Sequence, residues 1–200
     1  MSAKLKPLRL PPRDLASLKL ADAKLAERGW WRLHFPGRAV RFTLNEEHRF
    51  SHPLGRYPVL YAASDEETAT MEVYGDVFFA RRTRVAIARS EWEARVFSTL
   101  RLPSVAVANL TFAGMASAKV DASALMHRSR RFTHQWGRAV MDHPSGFHGL
   151  IYASRFTGRM CVALFEVPGD AAPRIEGPAY PLARTSLARV LINRYCVALT

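Results

Sequence analysis

The sequence predicts an α+β protein with a mixed, strongly bent β-sheet core and flanking helices. Short apolar segments of strand length recur along the chain, and segments with helical spacing separate some of them. The two kinds do not alternate in the regular order that a parallel βαβ sheet requires. A length of 200 residues suffices for one hydrophobic core. A hydrophobic content of 48% with 23% charged residues excludes an intrinsically disordered chain.

Residues 1–28 are predicted to form a basic leader followed by a helix. Pro11 and Pro12 end the leader, and apolar residues at near-helical spacing follow over 14–27. The leader lacks the continuous apolar core of a signal peptide, and no apolar run approaches the roughly 20 residues of a membrane span. We therefore expect a cytoplasmic protein without membrane contact. Residues 29–200 are predicted to be a single globular domain.

The first half of this domain is predicted to hold two strands and a helix around a long loop. Apolar and polar residues alternate over 31–35, which is typical of a half-buried strand. The polar stretch 38–58 predicts a loop, and long loops in compact domains are commonly functional. The apolar run 59–63 predicts a second strand. Residues 64–67 then supply an N-cap and first-turn acids for a helix through about Tyr74.

The second half is predicted to be richer in strands. Strands are predicted over 84–88, 92–97, 105–110, 149–155, 160–167 and 190–199, and a helix over 131–141. The signal over 116–125 is weak. The stretch 168–181 contains Pro and Gly and predicts a connection without regular structure.

The charge of the chain is strongly positive and comes mainly from arginine. The net charge is +12, and 24 Arg stand against 5 Lys. Arginine binds phosphate and carboxylate bidentately, so nucleic-acid binding, recognition of a phosphorylated small ligand and a general basic surface all remain open. A non-enzymatic nucleic-acid-binding module is an alternative function. Its best local clusters are Arg81-Arg82-x-Arg84 and Arg128-x-Arg130-Arg131, although no nucleic-acid-binding motif accompanies them.

Several common catalytic and metal-binding motifs are absent. The sequence contains no GxGxxG, GxxxxGK[ST], HExxH or GxSxG. His48 and His52 are four residues apart but lie in the predicted loop, so we expect no metal site. Cys161 and Cys196 are far apart without a CxxC pair, which excludes a zinc ribbon and a disulfide framework.

Four segments together resemble the RES-domain family, which is named for its Arg, Glu and Ser residues. They are WWRLHF, HRFSHPLGRYPVLYAASDEETATMEV, FTHQWGRAV and GLIYASR, and the resemblance covers residues 30–167. Family members carry an Arg on the first strand, a Gly-Gly-Arg-Trp/Phe-Asn loop, a Gly-x-Pro-Val-x-Tyr strand, a helix with Glu and a late strand end with Ser. Here Glu47-His48 replace Gly-Gly, and Ser51 replaces Asn.

The resemblance implies a fold like that of ADP-ribosyltransferases and the role of toxin in a bacterial toxin–antitoxin pair. The implied activity is cleavage of the nicotinamide–ribose bond of NAD by phosphorolysis or hydrolysis, with protein ADP-ribosylation from NAD as an alternative. NAD would be a substrate, inorganic phosphate a co-substrate, and no true cofactor or metal is expected. The implied partner is an antitoxin with an Xre-type helix-turn-helix domain, with the chain as a homodimer in the complex and without direct nucleic-acid binding.

The resemblance also implies a role for each matching residue. Arg32 and Arg49 would hold the NAD pyrophosphate with charge-assisted hydrogen bonds. The ring of Tyr61 would lie near the nicotinamide cation. Glu72 would stabilise the oxocarbenium charge on the ribose, and Ser154 would bond the nicotinamide amide or a ribose hydroxyl. Glu72, Arg49 and Ser154 are the expected catalytic set. Gln135 and Arg155 are expected at the pocket rim.

Overall fold

The computed structural model describes residues 11, 25, 28–52, 54–80, 85–126, 129–166 and 172–200, without the side chains at 123 and 124. The predicted N-terminal leader lies outside these residues except for Pro11, and the predicted helix except for Leu25. The basic cluster at 81–84 and Arg128 also lie outside them.

The described strands and helices follow one another without a regular alternation. The strands are β1 (Gly29–His34), β2 (Val59–Ala63), β3 (Val85–Ile87), β4 (Val96–Arg101), β5 (Ala108–Leu110), β6 (Gly149–Ala153), β7 (Met160–Phe165), β8 (Arg174–Pro181) and β9 (Val197–Leu199). The helices are α1 (Glu66–Phe78), α2 (Arg89–Ala94), α3 (Phe112–Ser117), α4 (Ser123–Met126), α5 (Arg130–Met141) and α6 (Ser186–Arg194). None of the described helices is long and apolar enough to cross a bilayer.

The central sheet is mixed, which confirms the predicted fold class. Its strand order is β5-β6-β7-β2-β1-β4-β8, and a separate two-stranded sheet pairs β3 with β9. In the central sheet β5 and β6 are parallel, and the other neighbours are antiparallel. Helices pack against this sheet, with α1 in contact with both β1 and β2.

Alternation along the strands divides the core between the two faces of the sheet. Tyr152 and Ala163 belong to the larger core cluster, which also includes buried residues of α1 and α5. Leu60 and Val162 belong to a second cluster with Trp30. Successive side chains of a strand point to opposite faces, so both faces are buried by the same strands.

The sheet opens between β1 and β2. These strands pair at one position, Trp31 with Ala63, whereas β1 pairs with β4 along all six residues of β1. At the other end of β2, Thr43 of the long loop forms an isolated antiparallel β-bridge with Val59. Because β1 and β2 diverge there, a cleft can enter between them.

Three secondary-structure predictions are wrong in instructive ways. The strand predicted over 92–97 is the end of α2 followed by β4, and the buried Trp92 lies on that helix. The strand predicted over 190–199 belongs to α6 as far as Arg194, and only Val197–Leu199 is a strand. On α6, Leu191 is buried and its apolar neighbour Val190 is exposed. In both places a short apolar run fits either period, and tertiary packing selects the helix.

The third error is the missed strand β8, which the sequence assigns to an irregular connection. Its Gly177 has φ +74°, and the pairing with β4 shifts register between Phe97 and Thr99. It also contains Pro178, which lacks an N–H donor. β8 is the edge strand of the central sheet, where both a bulge and a proline are tolerated.

Candidate functional site

A cleft of about 550 Å³ opens where β1 and β2 diverge, and α1 forms one of its walls. This volume lies within the range of small-molecule sites. The charged groups on its wall are six arginines and three carboxylates: Arg32, Arg38, Arg49, Arg95, Arg130, Arg155, Glu47, Glu72 and Asp76. The excess of positive charge favours an anionic ligand.

Glu72 is held on the cleft wall by two hydrogen bonds. Helix α1 begins after Asp65, whose side chain caps it by accepting the Thr68 N–H at 2.9 Å. The Tyr152 hydroxyl donates to Glu72 Oε2 at 3.1 Å, and the Ser154 hydroxyl donates to Oε1 at 2.7 Å. The two donors are two residues apart at the end of β6, so they point to the same side. The carboxylate is therefore fixed before any ligand binds.

Ser154 is completely buried and is not part of the cleft wall. Its oxygen accepts the Phe156 N–H at 3.2 Å while its hydroxyl donates to Glu72. The geometry thus makes Ser154 a support for Glu72. Its direct contact with a ligand stays a prediction.

Arg49 is buried on the wall and has donors without acceptors. One terminal nitrogen donates to the carbonyl of Leu125 on α4. The guanidinium lies over the rings of Phe50 and Tyr152, at 5.3 and 5.2 Å from their centroids. Its Nε and Nη1 are buried and make no hydrogen bond. An unmet buried donor costs about 1–3 kcal/mol, more for a charged group, so this guanidinium is suited to bind an anion.

Tyr61 connects β2 to the Arg49 loop. Its oxygen accepts the Phe50 N–H at 2.9 Å, and its ring packs edge-on against His48 with centroids 5.3 Å apart. Burial raises the pKa of Tyr61 to about 12, so the phenol is neutral at physiological pH. Tyr61 lies on the cleft wall, where its ring is available to a ligand.

Helix α5 holds the same loop from the other side. His134 Nε2 donates to the carbonyl of His48 at 2.8 Å. Gly137 faces the carbonyl of Phe50 so closely that a Cβ there would lie 2.4 Å from the oxygen. Neither Glu47 nor His48 has a positive φ, so the loop does not need the glycines that the family carries at these two positions.

Arg32 lies on the cleft wall and also holds the neighbouring loop, and its contact with the NAD pyrophosphate stays a prediction. Its two terminal nitrogens donate to the carbonyls of Ala39 at 2.9 Å and Arg41 at 3.0 Å. Burial lowers the pKa of this guanidinium to about 10. These two hydrogen bonds use two of the five N–H donors of the guanidinium, so Arg32 can hold the loop and still donate to a ligand.

His48 is a neutral side chain on the cleft wall. Asn45 Oδ1 accepts the Glu47 N–H at 2.9 Å, which orients the amide so that Nδ2 donates to His48 Nε2 at 3.1 Å. Burial, and then the charges of Arg130 and Arg32, lower the pKa of His48. The proton of the neutral ring is therefore on Nδ1. Among the described residues, no group of three or more His, Cys, Asp or Glu could hold a metal ion.

Sequence reasoning missed several residues of the site. Tyr152 stands two residues before Ser154, and this spacing could have identified it as a second donor to Glu72. Asp76 follows Glu72 by four residues and shares its helix face. Arg95 and Arg130 carry no comparable signal, because only the fold brings them to the cleft. Of the two predicted rim residues, Arg155 lies on the wall and Gln135 does not.

The sequence of this chain is similar to one protein family, and its fold is similar to that of a protein of known structure. The family model of the RES domain matches residues 29–185. No curated protein matches the sequence. A chain in the crystal structure of the M. tuberculosis MbcT–MbcA toxin–antitoxin complex has a similar fold, with a TM-score of 0.60 and 15% sequence identity. The alignment covers 78% of this chain and 85% of that chain.

Proposed function

This chain belongs to the RES-domain family, and on that premise we propose that it cleaves the nicotinamide–ribose bond of NAD as the toxin of a toxin–antitoxin pair. One observation carries the proposal. The Glu72 carboxylate is fixed by two donors on the wall of a positively charged cleft, which it shares with a buried guanidinium that has unmet donors.

The chemistry requires a negative group beside the ribose. As the bond to nicotinamide breaks, its electron pair moves to the pyridinium nitrogen, and positive charge develops on the ribose ring. A carboxylate that already points at this position stabilises the charge without reorganising. Tyr152 and Ser154 supply the orientation of Glu72, so they act as positioning residues.

The acceptor completes the reaction. A phosphate oxygen that bonds to the anomeric carbon gives ADP-ribose 1-phosphate and neutral nicotinamide. Water gives ADP-ribose, nicotinamide and a proton. Phosphate needs no deprotonation, and the unmet nitrogens of Arg49 can hold one of its oxygens or an oxygen of the NAD pyrophosphate.

Two other wall residues would contribute to binding, one by contact with the ligand and one by ordering the cleft wall. The ring of Tyr61 would attract the nicotinamide cation by about 0.5–2 kcal/mol. Arg32 would order the loop over 38–41, and through it the cleft wall.

An antitoxin partner is part of the proposal. The similar fold in a toxin–antitoxin complex supports it, and the net charge of +12 suits an acidic surface on the partner. We propose an Xre-type helix-turn-helix antitoxin that binds a homodimer of this chain in the cytoplasm. Co-expression with the product of the adjacent gene, followed by measurement of the mass of the purified complex, tests this part.

Nicotinamide release tests the activity. The full chain is incubated with NAD in buffers with and without inorganic phosphate, and nicotinamide is quantified by chromatography. We expect release that Glu72→Gln lowers roughly 10²–10³-fold, because the amide carries no charge and its single oxygen can accept from only one of the two hydroxyls that hold Glu72. Glu93→Gln is the matched control, since Glu93 is exposed on α2 and pairs with Arg89 at 3.7 Å.

The same assay separates the alternatives. Release that depends on phosphate identifies phosphorolysis, and release without it identifies hydrolysis. Transfer of label from adenine-labelled NAD to protein identifies an ADP-ribosyltransferase. The absence of nicotinamide release in both buffers refutes the proposed cleavage.

A further inference from the structure

The mouth of the cleft holds a charge cluster that the proposed cleavage does not use. Asp76 lies one turn beyond Glu72 on α1. One of its carboxylate oxygens accepts a hydrogen bond from Arg155, and the other lies 3.6 Å from Nη2 of Arg130. All three side chains line the cleft. A single carboxylate therefore bridges two guanidiniums that come from different parts of the chain.

This bridge is a weak structural support. The side chain of Asp76 is 52% exposed and that of Arg130 is 38% exposed. Exposed ion pairs contribute about 0–1 kcal/mol to stability, because water screens them and side-chain entropy opposes them. The pair of Asp76 with Arg130 is therefore poorly explained by a contribution to folding alone.

Arg155 supplies an independent sign of a ligand. Its side chain is only 9% exposed, yet its Nε is buried and makes no hydrogen bond. The guanidinium is held over the ring of Phe156, 4.4 Å from the centroid. An anionic acceptor can satisfy this donor only after the guanidinium shifts, and the displacement of Asp76 would allow that shift.

The position of the cluster selects the kind of anion. Four residues of helix separate Glu72 from Asp76, a rise of about 6 Å. A comparable length separates the anomeric carbon of a ribose from the phosphorus atom that its 5′ oxygen carries. A nucleotide with its anomeric carbon at Glu72 would thus carry its 5′ phosphates to the cluster.

We propose that Arg130 and Arg155 form a subsite for the diphosphate of a nucleotide, and that Asp76 occupies this subsite as an internal competitor until the ligand displaces it. The identity of the nucleotide as NAD rests on the proposed function, whereas the diphosphate subsite does not require cleavage. Displacement of Asp76 lowers the apparent affinity, since part of the binding free energy is spent on breaking its ion pairs.

Calorimetric titration with ADP tests this subsite, because ADP carries the diphosphate but no nicotinamide bond. We expect Asp76→Asn to bind ADP about three- to tenfold more tightly than the unmodified chain, since the ion pairs of Asp76 with Arg130 and Arg155 no longer compete. Arg130→Gln should bind ADP more weakly and with a shallower dependence on salt. Affinity for adenosine should stay unchanged in both variants.

Two controls isolate the competition. Asp142→Asn removes the same charge at the other end of α5, where Asp142 pairs with Arg138 at 3.2 Å, and it should leave ADP binding unchanged. In the double variant Asp76→Asn/Arg130→Gln, the gain from Asp76→Asn should shrink, because the competitor acts partly through Arg130.

The outcomes separate this inference from the proposed function. Weaker or equal ADP binding by Asp76→Asn overturns the proposal that Asp76 competes with the ligand, since an Asp76 that only supports the structure would have that effect. Unchanged ADP binding by Arg130→Gln overturns the subsite, and this partly exposed residue is replaced at little risk to folding. If either of these results is found but nicotinamide is released, the subsite proposal fails and the proposed function is unaffected. If ADP binding changes as expected but no nicotinamide is released, the proposed function fails and the subsite proposal is unaffected.

Discussion

Replacement of Gly137 by alanine should lower the activity, although Gly137 does not line the cleft. The added Cβ would lie 2.4 Å from the Phe50 carbonyl oxygen and 3.0 Å from its carbon, and ordinary contact begins at 3.4 Å. Either α5 or the loop must therefore move by about 1 Å, and a shift of that size at a reacting group can cost about 10²-fold in rate. The loop carries Arg49, so the displacement reaches the cleft wall.

The effect on stability should be smaller than the effect on activity. Alanine favours the helix by about 1 kcal/mol over glycine, while overpacking costs about 1–3 kcal/mol. We expect the free energy of unfolding to fall by about 0–2 kcal/mol and nicotinamide release to fall about 10²-fold. Denaturant titration and the release assay give the two quantities.

Gly146→Ala is the matched control for this prediction. No atom lies within 4 Å of a Cβ at Gly146, and its φ is +65°. The substitution should cost about 1–2 kcal/mol of backbone strain but leave nicotinamide release by the folded protein unchanged. A folded Gly137→Ala variant with full activity would refute the argument that this close approach positions Arg49.

Three further predictions concern single side chains. Tyr152→Phe keeps the ring but removes a hydrogen bond to Glu72, so nicotinamide release should fall roughly 10- to 150-fold; an unchanged rate would show that this bond does not orient the carboxylate. Tyr61→Phe leaves the Phe50 N–H without its acceptor, and denaturant titration should show a loss of about 1–3 kcal/mol. Burial lowers the pKa of His34, so the unfolded chain binds this proton more readily than the folded protein. The contribution of neutral His34 to the free energy of unfolding is therefore complete above pH about 6.5 and is lost as the pH falls. Between pH about 7.5 and 5.5, the free energy of unfolding of His34→Gln should fall less than that of the unmodified chain.

Local patterns predicted the elements that carry most of the site. The strand at 59–63 and the helix after residue 65 were predicted because apolar spacing and capping chemistry are local. The strands at β4 and β9 were misplaced because short apolar runs near 92–97 and 190–199 fit two periods. Only the packing of Trp92 and Leu191 decides between them.

In the candidate site, too, the sequence identified some residues and only the fold showed their contacts. The sequence drew attention to Glu72, Arg49 and Tyr61, and all three lie on one cleft. It could not give the hydrogen bonds of Arg32, because its acceptors belong to a loop whose path depends on tertiary contacts. For the same reason it could not show that Ser154 is buried against Glu72, and the contact of Ser154 with a ligand stays a prediction.

The sequence by itself determined the fold class, the identity of the residues that resemble the RES family and the excess of arginine over lysine. Those properties follow from local periodicity, motif spacing and composition. The tertiary structure decided which arginines are already paired, at Arg32 and Arg155, and which nitrogens of Arg49 have no acceptor. Hydrogen bonding depends on distances of a few tenths of an ångström between residues far apart in sequence, and only the folded chain sets those distances.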